Sequence, residues 1–233
     1  KNYTSILKFE LVKIQYPDKS FKSMAFTWGD VSKSIYDNDD FGKELNYKSY
    51  FDETIQSLIK DVKTDREKMD VIFQYVQNSM NWNGNNSYAC EFGVKKAFKE
   101  KTGNNADINL MLVAMLRYAG LDAHPIILST RLNGVAAFPS RSAFNYVIAG
   151  VKYSDDDIVL LDASNKNTVP NILPLKAVNW IGRMLLPDAA IFEVQLEPKS
   201  VSNKTITILA EIEDEINLVG KLREVSSDYF AFL

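Results

Sequence analysis

The sequence contains one cysteine, Cys90, and one histidine, His124, among its 233 residues. A single cysteine cannot form a disulfide within the chain or supply a thiolate cluster for a metal. A single histidine excludes mechanisms that need two imidazoles, and with one cysteine it excludes zinc sites of the Cys/His type. We therefore expect no metal site, and nothing in the sequence indicates another cofactor.

Charge of one sign and long apolar runs are also scarce. The net charge is −3, a weak acidic excess that provides no basic surface for nucleic acid. No apolar run reaches the roughly 20 residues that span a bilayer, so we expect no membrane span in this chain. The chain begins at Lys1 without a signal-peptide pattern, and we interpret it as a processed form or a piece of a longer protein.

Secondary structure in the first part of the chain is predicted from apolar spacing. A β-rich segment over 3–14 predicts a strand, and the polar, aromatic segment 18–48 has no clear period and is interpreted as a connection. Apolar residues then recur at helical spacing over 52–62 and 69–80, which predicts two amphipathic helices. The sequence "TDRE" at 64–67 is typical of a capping box and predicts the start of the second helix.

Two further helices are predicted before the chain turns to strands. A weaker one covers 91–101, with Gly103 as a left-handed stop. The next, over 106–119, is apolar all round, which is typical of a helix buried on every side, and Gly120 ends it. Alternating or continuous apolar runs then predict strands at 124–131, 143–153, 158–164, 204–213 and 216–222, with an irregular Pro-containing stretch at 170–187.

Helices followed by antiparallel strands indicate an α+β fold. We divide the chain into an N-terminal β segment and linker (1–48), a core (49–188) and a C-terminal β-domain fragment (189–233). The end strands look like parts of incomplete sheets, so flanking β domains of a longer protein are expected as partners of these segments.

Three sequence motifs in the core point to a known family. They are "GNNADINLMLVAMLRYAGLDAHPIIL" from Gly103, "FNYVIAGV" from Phe144 and "LLDAS" at 160–164. This part of the chain resembles the transglutaminase-like core, a branch of the papain-like fold. That family places a cysteine at the start of a buried helix, a histidine on a later strand and an aspartate on the next. The resemblance implies helices packed on an antiparallel sheet, and it is strongest to a bacterial subgroup with flanking β domains of unknown function.

The resemblance assigns the triad positions residue by residue. The cysteine position falls on Asn105, the histidine position on Tyr146 and the aspartate position on Asp162. A carboxamide cannot ionise to a nucleophile, and a phenol that titrates near ~10 is a poor general base at neutral pH. We therefore expect a pseudoenzyme in which Asn105 caps the helix, Tyr146 is a core tyrosine and Asp162 accepts a hydrogen bond from it.

The remaining candidate residues are assigned structural or solvent-exposed roles. Cys90 lies 15 positions before Asn105, so a displaced nucleophile is conceivable, but a small buried side chain is the default. His124 is expected to be structural. The acidic turns "DNDD" (37–40) and "SDDD" (154–157) lack the glycine and glutamate spacing of a calcium loop and are interpreted as solvated.

Three functions remain open. The first is an inactive transglutaminase-like module whose cleft binds a peptide or another extended polymer through Trp82, Asn105, Tyr146 and Asp162. The second is an active peptidase or acyl transferase with a non-cysteine mechanism, for which Ser164 and Thr130 are available hydroxyls. The third is a structural interaction domain of a larger envelope protein. The family resemblance alone implies an extracytoplasmic location, in the periplasm or cell envelope.

Overall fold

The computed structural model describes residues 13–17, 22–23, 27–188, 190–199, 201–213 and 217–232. It divides into two compact units, Lys1–Glu197 and Pro198–Leu233. The strand predicted over 3–14 lies outside the described residues except for its last two, which form β1 (Lys13–Ile14) and pair antiparallel with β2 (Lys22–Ser23).

The expected connection over 18–48 is wrong for its second half, which is helical. It contains α1 (Trp28–Tyr36), a π-helical turn (Asp39–Lys43) and a 3₁₀ turn (Glu44–Asn46). A Thr27–Asp30 capping box starts α1. The buried apolar residues of α1 lie four positions apart, which is helical spacing, but the helix is too short for this period to be recognised in the sequence. The buried apolar side chains of this segment are Val31, Ile35, Phe41 and Leu45.

The four predicted core helices are present with small shifts of their ends: α2 (Asp52–Ile59), α3 (Asp65–Ser79), α4 (Val94–Glu100) and α5 (Asn105–Tyr118). The predicted capping box of α3 is confirmed, because Thr64 and Glu67 exchange side-chain and backbone hydrogen bonds. The predicted stop at Gly103 is wrong. Lys101 takes the left-handed conformation after α4 (φ 56°), whereas Gly103 lies in a short strand.

Helix α5 lies at the centre of the core, and every residue from Asn105 to Leu116 is buried. It contacts α2, α3 and α4, and it packs on the sheet strands β5 (Ala123–Leu128) and β6 (Tyr146–Lys152). Gly120 ends it with φ +88°, a conformation that a side chain would strain. The predicted all-round burial of this helix is confirmed.

The core sheet has five strands in the order β7–β6–β5–β8–β9, and every neighbouring pair is antiparallel. Its other strands are β7 (Ile158–Leu161), β8 (Ile181–Leu185) and β9 (Ile191–Gln195). The irregular structure expected over 170–187 is therefore wrong for the residues of β8. The prolines of this stretch lie on both sides of the strand and not within it. The core also continues past residue 188, since β9 pairs with β8 in the same sheet.

The second unit contains an antiparallel hairpin of β10 (Lys204–Glu213) and β11 (Asn217–Ser226), followed by the short helix α6 (Asp228–Phe232). The hairpin confirms the two strands predicted at 204–213 and 216–222. The α+β prediction is confirmed as well. None of the helices in the described part of the chain has the length and hydropathy that crossing a membrane requires.

The burial of α5 leads to a prediction about stability. Leu112 is fully buried, whereas Leu132 is 81% exposed. We expect Leu112→Ala to lower the free energy of unfolding by about 2–5 kcal/mol through lost burial and a cavity. The matched control, Leu132→Ala, should change it by no more than about 0.5 kcal/mol. Urea unfolding followed by far-UV circular dichroism measures both, and equal effects would contradict the central position of α5.

Candidate functional site

The first turn of α5 carries the polar residues of the candidate site. Two short parallel strands, β3 (Asn81–Trp82) and β4 (Thr102–Gly103), lead into it and pair Trp82 with Gly103. A Cβ on Gly103 would lie 2.7 Å from that of Asp107. Only glycine therefore lets this strand pass so close to the helix.

The expected capping role of Asn105 is wrong, because the cap is the preceding residue, Asn104. The Asn104 side chain accepts from the backbone N–H of Asp107 (2.7 Å), and the Asp107 carboxylate accepts from the N–H of Asn104 (2.9 Å). This capping box leaves Asn105 as the first helical residue, with its side chain free for contacts outside the helix.

Asn105 uses both ends of its carboxamide to join separate parts of the chain. Its Nδ2 donates to the Val147 carbonyl on β6 (3.1 Å), and its Oδ1 accepts from the Ser87 N–H (2.7 Å). The side chain is fully buried. Asn105 therefore acts as a structural junction between α5, the sheet and the loop that precedes α4.

Tyr146 and Asp162 meet directly, as expected from the sequence. The Tyr146 hydroxyl donates to Asp162 Oδ2 (2.8 Å) and lies 3.0 Å from Ser164 Oγ. Ser164 donates to the other carboxylate oxygen through its hydroxyl (2.6 Å) and its N–H (3.0 Å). Asp162 and Tyr146 are both 0% exposed, so this buried carboxylate is satisfied by hydrogen bonds rather than by solvent.

Asn109 connects the aspartate to the helix. Its Nδ2 donates to Asp162 Oδ1 (2.9 Å) and to the Val147 carbonyl (3.0 Å), and its Oδ1 accepts from the Ala163 N–H (2.9 Å). Asn105 and Asn109 share the Val147 carbonyl, so one network includes Asn105, Tyr146 and Asp162. This network ties α5 to β6 and to the segment after β7.

The electrostatics of Tyr146 oppose its use as a base. Burial raises the pKa of its phenol well above the usual value, and the negative charge of Asp162 raises it further. The phenol therefore stays protonated at neutral pH and donates a hydrogen bond to Asp162. A neutral phenol cannot accept a proton from a substrate or a nucleophile in this state.

A cover over Asn105 is formed by the loop from Asn83 to Gly93. The Asp107 carboxylate accepts from the N–H groups of Phe92 (3.2 Å) and Gly93 (3.0 Å). The Asn104 side chain donates to the Ala89 carbonyl (3.0 Å). These bonds explain why α4 begins at Val94 and not at the predicted 91, since the preceding residues turn back to α5.

Trp82 lies at the surface of this region and contacts Lys176, a residue that the sequence did not suggest for the site. Its indole is 39% exposed and donates to the Asn85 carbonyl (2.7 Å). The Lys176 ammonium lies 4.0 Å from the Trp82 ring centroid and 4.8 Å from that of Tyr146. It also donates to Asn86 Oδ1 (3.0 Å). Trp82 and Lys176 are therefore the groups of this site that reach solvent.

The single histidine lies away from the site. His124 Nε2 is 2.7 Å from Asp122 Oδ1, and Nδ1 is 3.3 Å from Arg117. In the register of β5 with β6, His124 is opposite Gly150, whereas Leu128 is opposite Tyr146. Along the strand, His124 therefore lies four residues, or about 13 Å, from the position opposite Tyr146. His124 therefore cannot serve as a base at Asn105 or Ser164.

Sequence reasoning missed Asn109, Ser164 as a partner of Tyr146, and Lys176. A signal for Asn109 exists, because it follows Asn105 by four positions and thus shares its helix face. No comparable signal marks Lys176, which reaches the site from a segment without period. Among the described residues, no cluster of three or more metal-ligating side chains is present.

A family model matches the part of the chain that contains the candidate site. The model of the transglutaminase-like superfamily matches residues 52–163, which contain Asn105, Tyr146 and Asp162. No curated protein matches the chain.

Two solved structures match the chain, and the first of them is similar in fold. One is a "putative protease" from Parabacteroides distasonis, with a TM-score of 0.53 and 13% identity over 90% of this chain and 43% of its own. The other is a "putative cysteine protease" from Cytophaga hutchinsonii, with a TM-score of 0.38 and 13% identity over 82% of this chain and 56% of its own. The chain thus spans about half the length of these proteins. The similarity to the transglutaminase-like superfamily thus lies in residues 52–163, which are 112 of the 233 residues of the chain.

Proposed function

We propose that this domain is a catalytically inactive transglutaminase-like module that serves as a binding or scaffold unit. One observation carries the proposal: the nucleophile position holds a fully buried carboxamide whose two ends are bonded to Val147 and Ser87. A carboxamide in that state neither ionises nor reaches a substrate. The protonated, buried phenol of Tyr146 supports the same conclusion for the base position.

We assign the proposed binding role to the surface of the site. Of the four residues that the sequence suggested for ligand contact, Trp82 is exposed, whereas Asn105, Tyr146 and Asp162 are fully buried. An extended polymer such as a peptide would therefore lie on the exposed indole, with the buried network holding the surrounding loops in place. We extend the proposal to a bacterial envelope protein with further β domains, which is supported by the family resemblance.

An alternative activity rests on a second observation. Ser164 Oγ lies 2.6 Å from Asp162 Oδ1, a short contact of a hydroxyl with a carboxylate that a non-cysteine peptidase or acyl transferase would need. The contact lacks an imidazole, because the sole histidine of the sequence lies on another level of the sheet. The Thr130 hydroxyl accepts from Asn145 (2.9 Å) and is not part of this network. The inactive module is therefore the better-supported function.

A turnover assay separates the two functions. We expect the purified protein to leave a fluorescence-quenched peptide library uncleaved. The reason is that Asn105 cannot ionise to a nucleophile and the protonated Tyr146 cannot act as a base. Asp162→Asn, which keeps the side-chain shape, should give the same background. Cleavage by the native protein that Asp162→Asn removes and Cys90→Ala leaves intact would establish the alternative. Near-UV circular dichroism verifies that both variants are folded.

Rebuilding the triad tests the assignment of positions. In a Cys90→Ala background, Asn105→Cys with Tyr146→His should react faster with iodoacetamide at pH 6 than either single variant. The reason is that an imidazole held by Asp162 raises the thiolate fraction beyond what the helix dipole achieves alone. Both cysteine variants share the Asn83–Gly93 cover, so their rate ratio reports the thiolate and not access. Equal rates would mean that positions 105 and 146 do not act as a pair.

The native thiol should behave as a half-buried structural group that packs against the core. Burial raises the pKa of Cys90 well above its usual value, and the charges of Asp107 and Glu44 add to the shift. A raised folded-state pKa contributes stability that is complete below the unfolded pKa of about 8.5 and is lost as pH rises toward the folded value.

The wild type should therefore lose more stability between pH 8 and 10 than Cys90→Ala does, by up to about 1.4 kcal/mol per pH unit above 8.5. Urea unfolding at each pH provides the comparison. Parallel stability curves for the two proteins would show that Cys90 titrates normally and is available as a nucleophile.

A further inference from the structure

Lys176 presents a partly buried positive charge with spare hydrogen-bonding capacity. Its ammonium has three donors, and one of them binds Asn86 Oδ1. Two aromatic rings, those of Trp82 and Tyr146, lie on its other sides. Within the described part of the chain, Lys176 forms no ion pair with a carboxylate. Burial lowers the pKa of its ammonium, and the charge of Asp162 opposes that shift only in part.

The position of Lys176 is fixed by the loop that follows β5. The Arg131 N–H donates to the Lys176 carbonyl (3.0 Å), and the Arg131 guanidinium donates to the Val178 carbonyl (2.7 Å). The backbone beneath the ammonium is thus held before any ligand arrives. Such preorganisation lowers the entropy that binding would otherwise cost.

Charge and shape select the ligand chemistry. A carboxylate fits this site better than a dianionic phosphate, because one lysine supplies one positive charge. The Asp162 carboxylate also lies close enough to affect the pKa of Lys176, and its negative charge would disfavour a second negative charge on the ligand. Among the described residues, only Asn86 accepts a hydrogen bond from this ammonium, so its two other donors, which now lie near aromatic rings, can bind a carboxylate. The exposed face of Trp82 offers apolar area for the neighbouring part of the ligand.

We propose that Trp82, Asn86 and Lys176 form a carboxylate-binding site for peptides, in which Lys176 pairs with the carboxylate and Trp82 packs against the adjoining residue. The inference rests on the proposed binding function and names its ligand class. The carboxylate is either the C-terminus of a peptide or an acidic side chain, and both present the same group to Lys176.

The test uses three pools of acetylated pentapeptides with the full ¹⁵N-labelled chain. One pool has a free C-terminal carboxylate, the second has a C-terminal amide, and the third has the amide and one glutamate. The readout is the indole N–H signal of Trp82 in a ¹H–¹⁵N spectrum, identified by its loss in Trp82→Phe. We expect the free-acid or glutamate pool to shift this signal and the plain amide pool to leave it unchanged. The pool that acts identifies the source of the carboxylate.

Variants of Lys176 then show whether its charge is responsible. Lys176→Met keeps a linear side chain without the charge and should weaken binding of the active pool at least about tenfold, whereas Lys176→Arg should stay within about threefold of the native protein. Lys60→Met, at an exposed lysine after α2, is the matched control and should change nothing. The ¹H–¹⁵N spectrum itself shows whether each variant is folded.

The outcomes separate this inference from the proposed function. Equal shifts with acid and amide pools, or unchanged binding by Lys176→Met, would overturn the carboxylate site and leave a peptide-binding module. No shift of Trp82 with any pool at millimolar concentration would overturn the carboxylate site and the peptide-binding role together, and would leave the scaffold role. Cleavage of a pool would overturn the inactive assignment alone, while a lysine-dependent preference for acid pools would still support the site.

Discussion

A helix that is buried on every side must satisfy the N–H groups of its first turn without water, and this constraint organises the whole core. At α5 the Asn104–Asp107 capping box meets it from within the helix. The same carboxylate also accepts from the N–H groups of Phe92 and Gly93, so the cap fixes the loop before α4 as well. Asn105 and Asn109 extend the network to the Val147 carbonyl of β6. The helix start thus sets the positions of the sheet, the covering loop and the candidate site.

Asn105 and Tyr146, which the family resemblance would assign to the nucleophile and the base, both make hydrogen bonds as neutral groups. A thiol nucleophile and its base need ionisable groups and access for the substrate. The Asn105 carboxamide does not ionise, and a substrate cannot reach it because it is buried and bonded at both ends. Each of these bonds contributes about 0.5–1.5 kcal/mol net, and an unpaired buried partner would cost more. The arrangement therefore favours a rigid junction over a reactive centre, and Asp162 keeps its place as an acceptor for Tyr146 and Ser164.

The parts of the fold that local pattern specifies were predictable, and those that depend on distant contacts were not. The all-round apolar run of α5 and the strand-like segments around Tyr146 identified the core and the meeting of Tyr146 with Asp162. The cap was misplaced by one residue because Asn104 and Asn105 are the same amino acid, and only the chain path decides which side chain turns back to the helix. Strand β8 was missed because its flanking prolines suggested irregular structure. Lys176 reaches the site only because Arg131 holds its backbone there, a contact across 45 positions that no local pattern encodes.

Lys176 and the neutral aromatic ring at position 146 attract each other, whereas Lys176 and a charged imidazole with no thiolate beside it would repel each other. Two unit positive charges about 5 Å apart repel by roughly 3 kcal/mol at an effective dielectric constant near 20. A histidine at position 146 would therefore be harder to protonate beside the ammonium that now lies 4.8 Å from the Tyr146 ring. The neutral phenol turns this repulsion into a cation–π attraction, and the exposed Trp82 ring adds a second one at 4.0 Å. The neutral phenol at position 146 thus supports a positive charge near the surface, which is the charge that the proposed ligand carboxylate would meet.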